Sequence, residues 1–175
     1  MNGQDAVLRL IGFWLLLLPI GDVFSLDAAR QRNRPRPATT PDAWPLRLLQ
    51  LQVALVMLAV GIWKLRGDDW LDGTALYYVT RLDGFWGNLP VPSAVVSSAP
   101  ALRFLTYATL AVELSVPILI WIPRLRRGAL ATAIGFHLAL AYAMNLFLFA
   151  WIMILGWCAF LHRDDFAVMG GGASK

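Results

Sequence analysis

The stretch FLTYATLAVELSVPILIWIP, residues 104–123, decides what kind of protein this is. It is twenty residues long and carries one formal charge, Glu113. A helix needs about 20 predominantly apolar residues to cross the hydrocarbon core of a bilayer, and this run supplies them. A lone ionisable group at the centre of such a helix is expensive, at about 2.5–3.5 kcal/mol for Asp, Lys or Arg on insertion scales. Glu113 is therefore expected to face the interior of a helical bundle. There it is either part of a functional site or one half of a buried structural pair. Pro117, four residues on, has no N–H for the Glu113 carbonyl.

The whole chain agrees with that reading. Of its 175 residues, 58% are hydrophobic and 15% are charged, and the mean hydropathy is +0.60. A soluble domain averages about 45–50% apolar and about 25% charged. The balance excludes a disordered chain, a disulfide-rich secreted module and an ordinary soluble enzyme. The fold class expected is an all-α integral membrane bundle of four or five transmembrane helices, with a short interfacial helix in the outer loop. The net charge of +4 is explained by basic loops against anionic headgroups, and no nucleic-acid partner is expected. Cys158 is the only cysteine, so no internal disulfide forms.

Charges punctuate the apolar runs on either side of this stretch. A first span is expected from about Ala6 to Leu26; Asp5 and the lack of an A-x-A site disfavour a signal peptide. Residues 27–47 form a basic, proline-rich loop, with Arg30, Arg32, Arg34, Arg36 and Arg47 among four prolines. A charge-free run over residues 48–63 ends at Lys64. Residues 65–99 are richer in Asp and aromatic residues and read as an extramembrane loop, with a surface helix near 71–82. After Arg124, Arg126 and Arg127, no formal charge occurs from Gly128 to Leu161, with Asn145 as the expected break. The basic loops 27–47 and 124–127 place the chain as a multi-pass protein of the cytoplasmic membrane with those loops cytoplasmic. Residues 1–166 read as one transmembrane domain, and 167–175 as a flexible tail.

Three residues stand out chemically. Lys64, at the end of an apolar helix, reads either as a snorkelling lysine with its ammonium among headgroups, or as a desolvated amine inside the bundle that serves as a general base. Glu113 is the mid-span carboxylate. His137 lies within the last apolar stretch, where a hydrogen-bonded packing role is the plain alternative. One histidine and one cysteine make a poor zinc set, which needs three or four ligands, so no metal is expected.

The order of motifs carries a resemblance. K-L-x-x-D-D-W-x-x-G (Lys64 to Gly73) is followed by L-T-Y-x-T-L-x-x-E-L-x-x-P (Leu105 to Pro117), then R-L-R-R, then Phe136-His137, then F-x-W-I-M (Phe149 to Met153). This resembles the horizontally transferred transmembrane domain (HTTM) family, whose best-known member is the vitamin K-dependent gamma-glutamyl carboxylase. The stretches Leu8 to Trp14 and Ser25 to Ala28 are similar to bacterial members. The resemblance implies a helical membrane fold and a carboxylase- or epoxidase-like enzyme acting on a reduced, vitamin K-like quinone. It implies Lys64 as the base that starts oxygenation of the quinol, with Glu113 and His137 beside it as catalytic residues. It also implies Trp70, Tyr107 and Phe136 as cofactor-binding residues. The family's membrane domain is longer, and its first helices are expected to be missing here, with a membrane partner subunit as their source.

Two other functions stay open on the sequence. One is a non-catalytic membrane subunit of a split or larger complex, in which the same polar residues pair between helices. The other is a small redox-associated membrane protein resembling the DoxX group.

Overall fold

The computed structural model describes residues 44–82 and 92–161, with Arg9, Gly12 and Phe13. Most of the expected first span, most of the basic proline-rich loop and the C-terminal tail lie outside the described residues. All regular structure among the described residues is helical. Helix α1 is Trp44–Lys64, α2 Asp68–Leu71, α3 Ala75–Val79, α4 Ser93–Val96, α5 Ala99–Leu119, α6 Arg126–Met144 and α7 Phe147–Cys158. Two of them, α1 and α5, are long and apolar enough to cross a membrane.

Helix α1 takes in the last residues of the basic loop, Arg47 included. Pro45 sits in its first turn, where the missing N–H costs nothing. Its 21 residues make a rod of about 31 Å at 1.5 Å per residue. Helix α5 begins five residues before the 104–123 stretch does. Ser98 caps it by accepting a hydrogen bond from the Ala101 N–H at 3.4 Å, and Pro100 lies in the first turn.

The uncharged stretch after Arg127 divides at Asn145, as expected. Asn145 adopts the left-handed conformation, φ 55°, which a short polar side chain tolerates better than most. It ends α6 and lets α7 fold back antiparallel. The outer loop differs from expectation, because two short helices replace the single one near 71–82. Gly73, at φ +80°, interrupts the chain between α2 and α3, where no right-handed helix passes through a positive φ.

The core runs along one face of each long helix. Leu49, Val53 and Met57 of α1 meet Val116 of α5 and Ile120 just after it, Ala133 of α6, and Met153 and Trp157 of α7. The outward faces are apolar as well, with Phe104 71% and Trp63 68% exposed. In water such a surface would drive aggregation; in a bilayer it is the ordinary lipid-facing side. At the Lys64 end, arginines lie over aromatic rings, Arg66 over Trp63 at 4.7 Å and Arg81 over Tyr77 at 3.6 Å. That pairing suits a membrane–water boundary.

Candidate functional site

The antiparallel register of α1 and α5 brings the two ionisable groups of the spans together. The helices lie close together at Gly61. A Cβ there would lie 2.9 Å from Leu114 Cδ2 and 3.2 Å from Glu113 Cβ. One turn further on, Lys64 leans across the contact, and its Nζ donates to Glu113 Oε1 at 2.6 Å. The lysine side chain is 21% exposed and the glutamate 5%. The Lys64 amine also lies 4.3 Å from the centroid of the Trp70 ring. A carboxylate and an aromatic face are both natural partners of an ammonium.

The other carboxylate oxygen is the anomaly. Glu113 Oε2 is buried and has no hydrogen-bond partner among the described residues. A buried carboxylate oxygen left without a donor is costly. Lys64 has three N–H donors. One goes to Oε1, and a second faces the Trp70 ring. The pair thus presents one spare donor beside one spare acceptor, under an aromatic ring. A hydroxyl on a flat, apolar molecule is a group that matches both: its O–H donates to Oε2 and its oxygen accepts from Nζ. A reduced quinone carries such hydroxyls, so these residues fit the group that the sequence suggests.

Tyr107 sits next to this cluster but faces the turn after α2, donating from its hydroxyl to the Leu71 carbonyl at 3.0 Å. Arg103, one turn earlier on α5, donates from Nε and Nη2 to the Asp72 carbonyl at 3.1 and 2.9 Å. Asp72 caps the same turn, accepting from the Thr74 hydroxyl at 2.6 Å and from its backbone N–H at 3.0 Å. Those bonds from Thr74, the hydroxyl first and the N–H second, hold the Asp72 carboxyl below its ordinary value, with the nearby Arg103 charge adding to the effect.

His137 and Phe136 lie elsewhere in the bundle. His137 is buried on α6 and donates from Nδ1 to the Ala133 carbonyl at 2.7 Å. Phe136 meets its ring edge-on at 5.4 Å, and Phe149 of α7 lies at 6.0 Å. No hydrogen bond or ring contact among the described residues joins His137 to Lys64 or Glu113. The structure therefore gathers Lys64, Glu113 and Trp70, sets Tyr107 alongside, and leaves His137 with Phe136 against α7. No three His, Cys, Asp or Glu side chains among the described residues are grouped to hold a metal ion.

The sequence reading missed Arg103 and Gly61, and gave Gly73 only as the end of a motif. Starting the span at Phe104 placed Arg103 outside it. The Ser98-Ala99-Pro100 start signal was the clue that puts Arg103 and Tyr107 one turn apart on a single helix face.

An all-helical bundle with apolar outer faces and a buried ion pair defines a membrane protein. Residues 5–164 match the family model of the HTTM domain, and the chain belongs to the HTTM family. It matches no curated protein and no solved structure.

Proposed function

We propose that this protein binds a quinol-type, lipid-soluble ligand and removes a proton from it at the Lys64–Glu113 pair. The observation that carries the reading is the pair itself, a 2.6 Å contact whose second carboxylate oxygen is buried without a donor. A bound quinol supplies an acidic hydroxyl on an electron-rich ring. Lys64 acts as the base: it passes the proton of its short hydrogen bond to Glu113, and the hydroxyl hydrogen then turns from the neutralised carboxyl to the free amine and is taken up there. The balance is one proton gained by Glu113, with Lys64 ending as the ammonium it began as. The pair goes from zero net charge to +1, and that charge offsets the one left on the ligand. Trp70 covers one side of the amine. His137, held by Ala133 and packed on Phe149, shapes the bundle wall and transfers no proton.

We read the bundle as multi-pass, with four or five transmembrane helices and the basic segments 27–47 and 124–127 on the cytoplasmic side. The Lys64 end then faces outward, and a lipid-soluble ligand reaches the pair from the bilayer.

The test is direct. Protein purified into lipid nanodiscs is titrated with a prenylated hydroquinone, and binding and quinol consumption are followed for wild type, Lys64→Ala and Glu113→Gln. Wild type is expected to bind the hydroquinone, and each variant to lose about tenfold or more, the scale of one charge-assisted hydrogen bond. A Lys64→Ala protein equal to wild type in both measurements overturns the reading.

A further inference from the structure

The turn that carries Trp70 is held down on α5 by more bonds than its length requires. Three hydrogen bonds converge on two successive carbonyls: Tyr107 to Leu71 at 3.0 Å, and Arg103 to Asp72 twice, at 3.1 and 2.9 Å. Gly73 follows directly, buried against the same two side chains. A Cβ on it would lie 2.6 Å from Arg103 Cγ and 3.0 Å from Tyr107 Cζ. Only a residue without a side chain lets the backbone lie flat there, and its φ of +80° makes the same demand. Further along, Thr106 Oγ1 accepts from the Leu76 N–H at 3.3 Å, so three residues of one face of α5 bind this segment. Trp70 is the residue just before Leu71. It is half-buried, with its ring over the Lys64 amine at 4.3 Å.

We infer that Arg103 and Tyr107 are positioning residues for Lys64. Through Leu71 and Asp72 they fix Trp70 against the amine, and lifting this turn from α5 uncovers the amine. The device acts through geometry, so it holds whatever the ligand is. It also gives the D-D-W-x-x-G segment a physical role: an aromatic lid (Trp70), a carboxylate that caps the turn (Asp72) and a glycine that lets the turn seat (Gly73). Arg103 suits the task because its rigid fork places two donors on one carbonyl, which a lysine cannot do.

The chain offers a clean readout, because Lys64 and Lys175 are its only lysines. The intact protein in nanodiscs is treated with a membrane-impermeant sulfonated succinimidyl ester, and the labelling rates of both lysines are followed by peptide mass spectrometry. Lys175 serves as the internal control. Wild-type Lys64 is expected to react slowly. In Arg103→Met/Tyr107→Phe its rate should rise about tenfold, the scale of one to two net hydrogen bonds, with Lys175 unchanged. Trp70→Ala should raise it similarly, and Trp70→Phe, which keeps an aromatic face, should restore the slow rate. If the double variant fails to fold, the Trp70→Ala and Trp70→Phe pair decides alone. Rates of Lys64 equal to wild type in Trp70→Ala, or in a folded double variant, overturn the inference. Hydroquinone binding plays no part in this measurement, so loss of that reading and loss of this one are seen separately.

Discussion

Gln50, in the second turn of α1, donates from Nε2 to the carbonyl of Ala159, just past the end of α7, at 2.7 Å. Gln50 is itself buried, and its Oε1 accepts from Arg47 at 3.2 Å. The start of the first long helix and the end of the last therefore lie at one end of the bundle. Trp121, after α5, meets Phe160 there at 5.2 Å, so the turn into α6 lies at that end too.

This relationship predicts where the C-terminal part of the chain emerges. Helix α7 ends at the Arg47 end of the bundle, so the chain is expected to leave the bundle on that side. An epitope placed after Lys175 and one placed within residues 27–43 should be reached from the same side of sealed vesicles. Opposite sides for the two epitopes would rule the arrangement out.

The Lys64–Glu113 pair should respond unequally to loss of its two members. Lys64→Met strands a carboxylate that is 5% exposed, whereas Glu113→Gln strands a lysine whose side chain is 21% exposed. Removing one partner of a buried pair costs about 3–5 kcal/mol. Lys64→Met is expected near the top of that range and Glu113→Gln below it. The double variant Lys64→Met/Glu113→Gln should recover much of the loss, because no charge is left unpaired. Unfolding in mild detergent measures all three, and a double variant no better than Lys64→Met would refute the account.

Gly61 sets the distance across which the pair meets. A methyl group there presses on the flexible end of Leu114 and, more stiffly, on Glu113 Cβ at 3.2 Å. Gly61→Ala should be mild. Gly61→Val should push α5 away, with an overpacking cost of about 1–3 kcal/mol. It should also weaken hydroquinone binding as the ion pair lengthens. Unchanged stability and binding in Gly61→Val would mean that the helices do not touch as described.

The outer turn should loosen in acid. The Asp72 carboxyl lies below its ordinary value of 3.8 in the folded protein, chiefly through the Thr74 hydroxyl and then its N–H. A depressed carboxyl contributes stability above its unfolded value and loses it as pH falls through the folded one. The turn is thus expected to be tight at neutral pH and to open progressively below about pH 3.8. Hydrogen exchange at residues 72–76, corrected for intrinsic rate, would show this. Asp72→Asn should exchange faster at neutral pH and lose the acid dependence; a pH dependence unchanged by that substitution would assign the effect to another group.

The sequence by itself determined the class, the helices and the cost of the odd charge. Runs such as residues 48–63 and 104–123 are too apolar for a soluble surface, and a backbone in lipid must satisfy its own hydrogen bonds, so they are helical wherever they pack. The break at Asn145 and the isolation of Glu113 were legible for the same local reasons. The tertiary structure decided what those residues do to one another. Lys64 and Glu113 are 49 positions apart, and only the antiparallel register at Gly61 makes one charge the answer to the other. His137, an equal candidate on sequence, turns to its own helix and to Phe149, because a carbonyl one turn back lies within its reach. The helix start at Ser98 could place Arg103 on the face of Tyr107, but nothing local named its partner, which is a backbone carbonyl, and every residue has one. Helix formation is settled by near neighbours and by the solvent the chain implies; a site is settled by which distant neighbours the packing delivers.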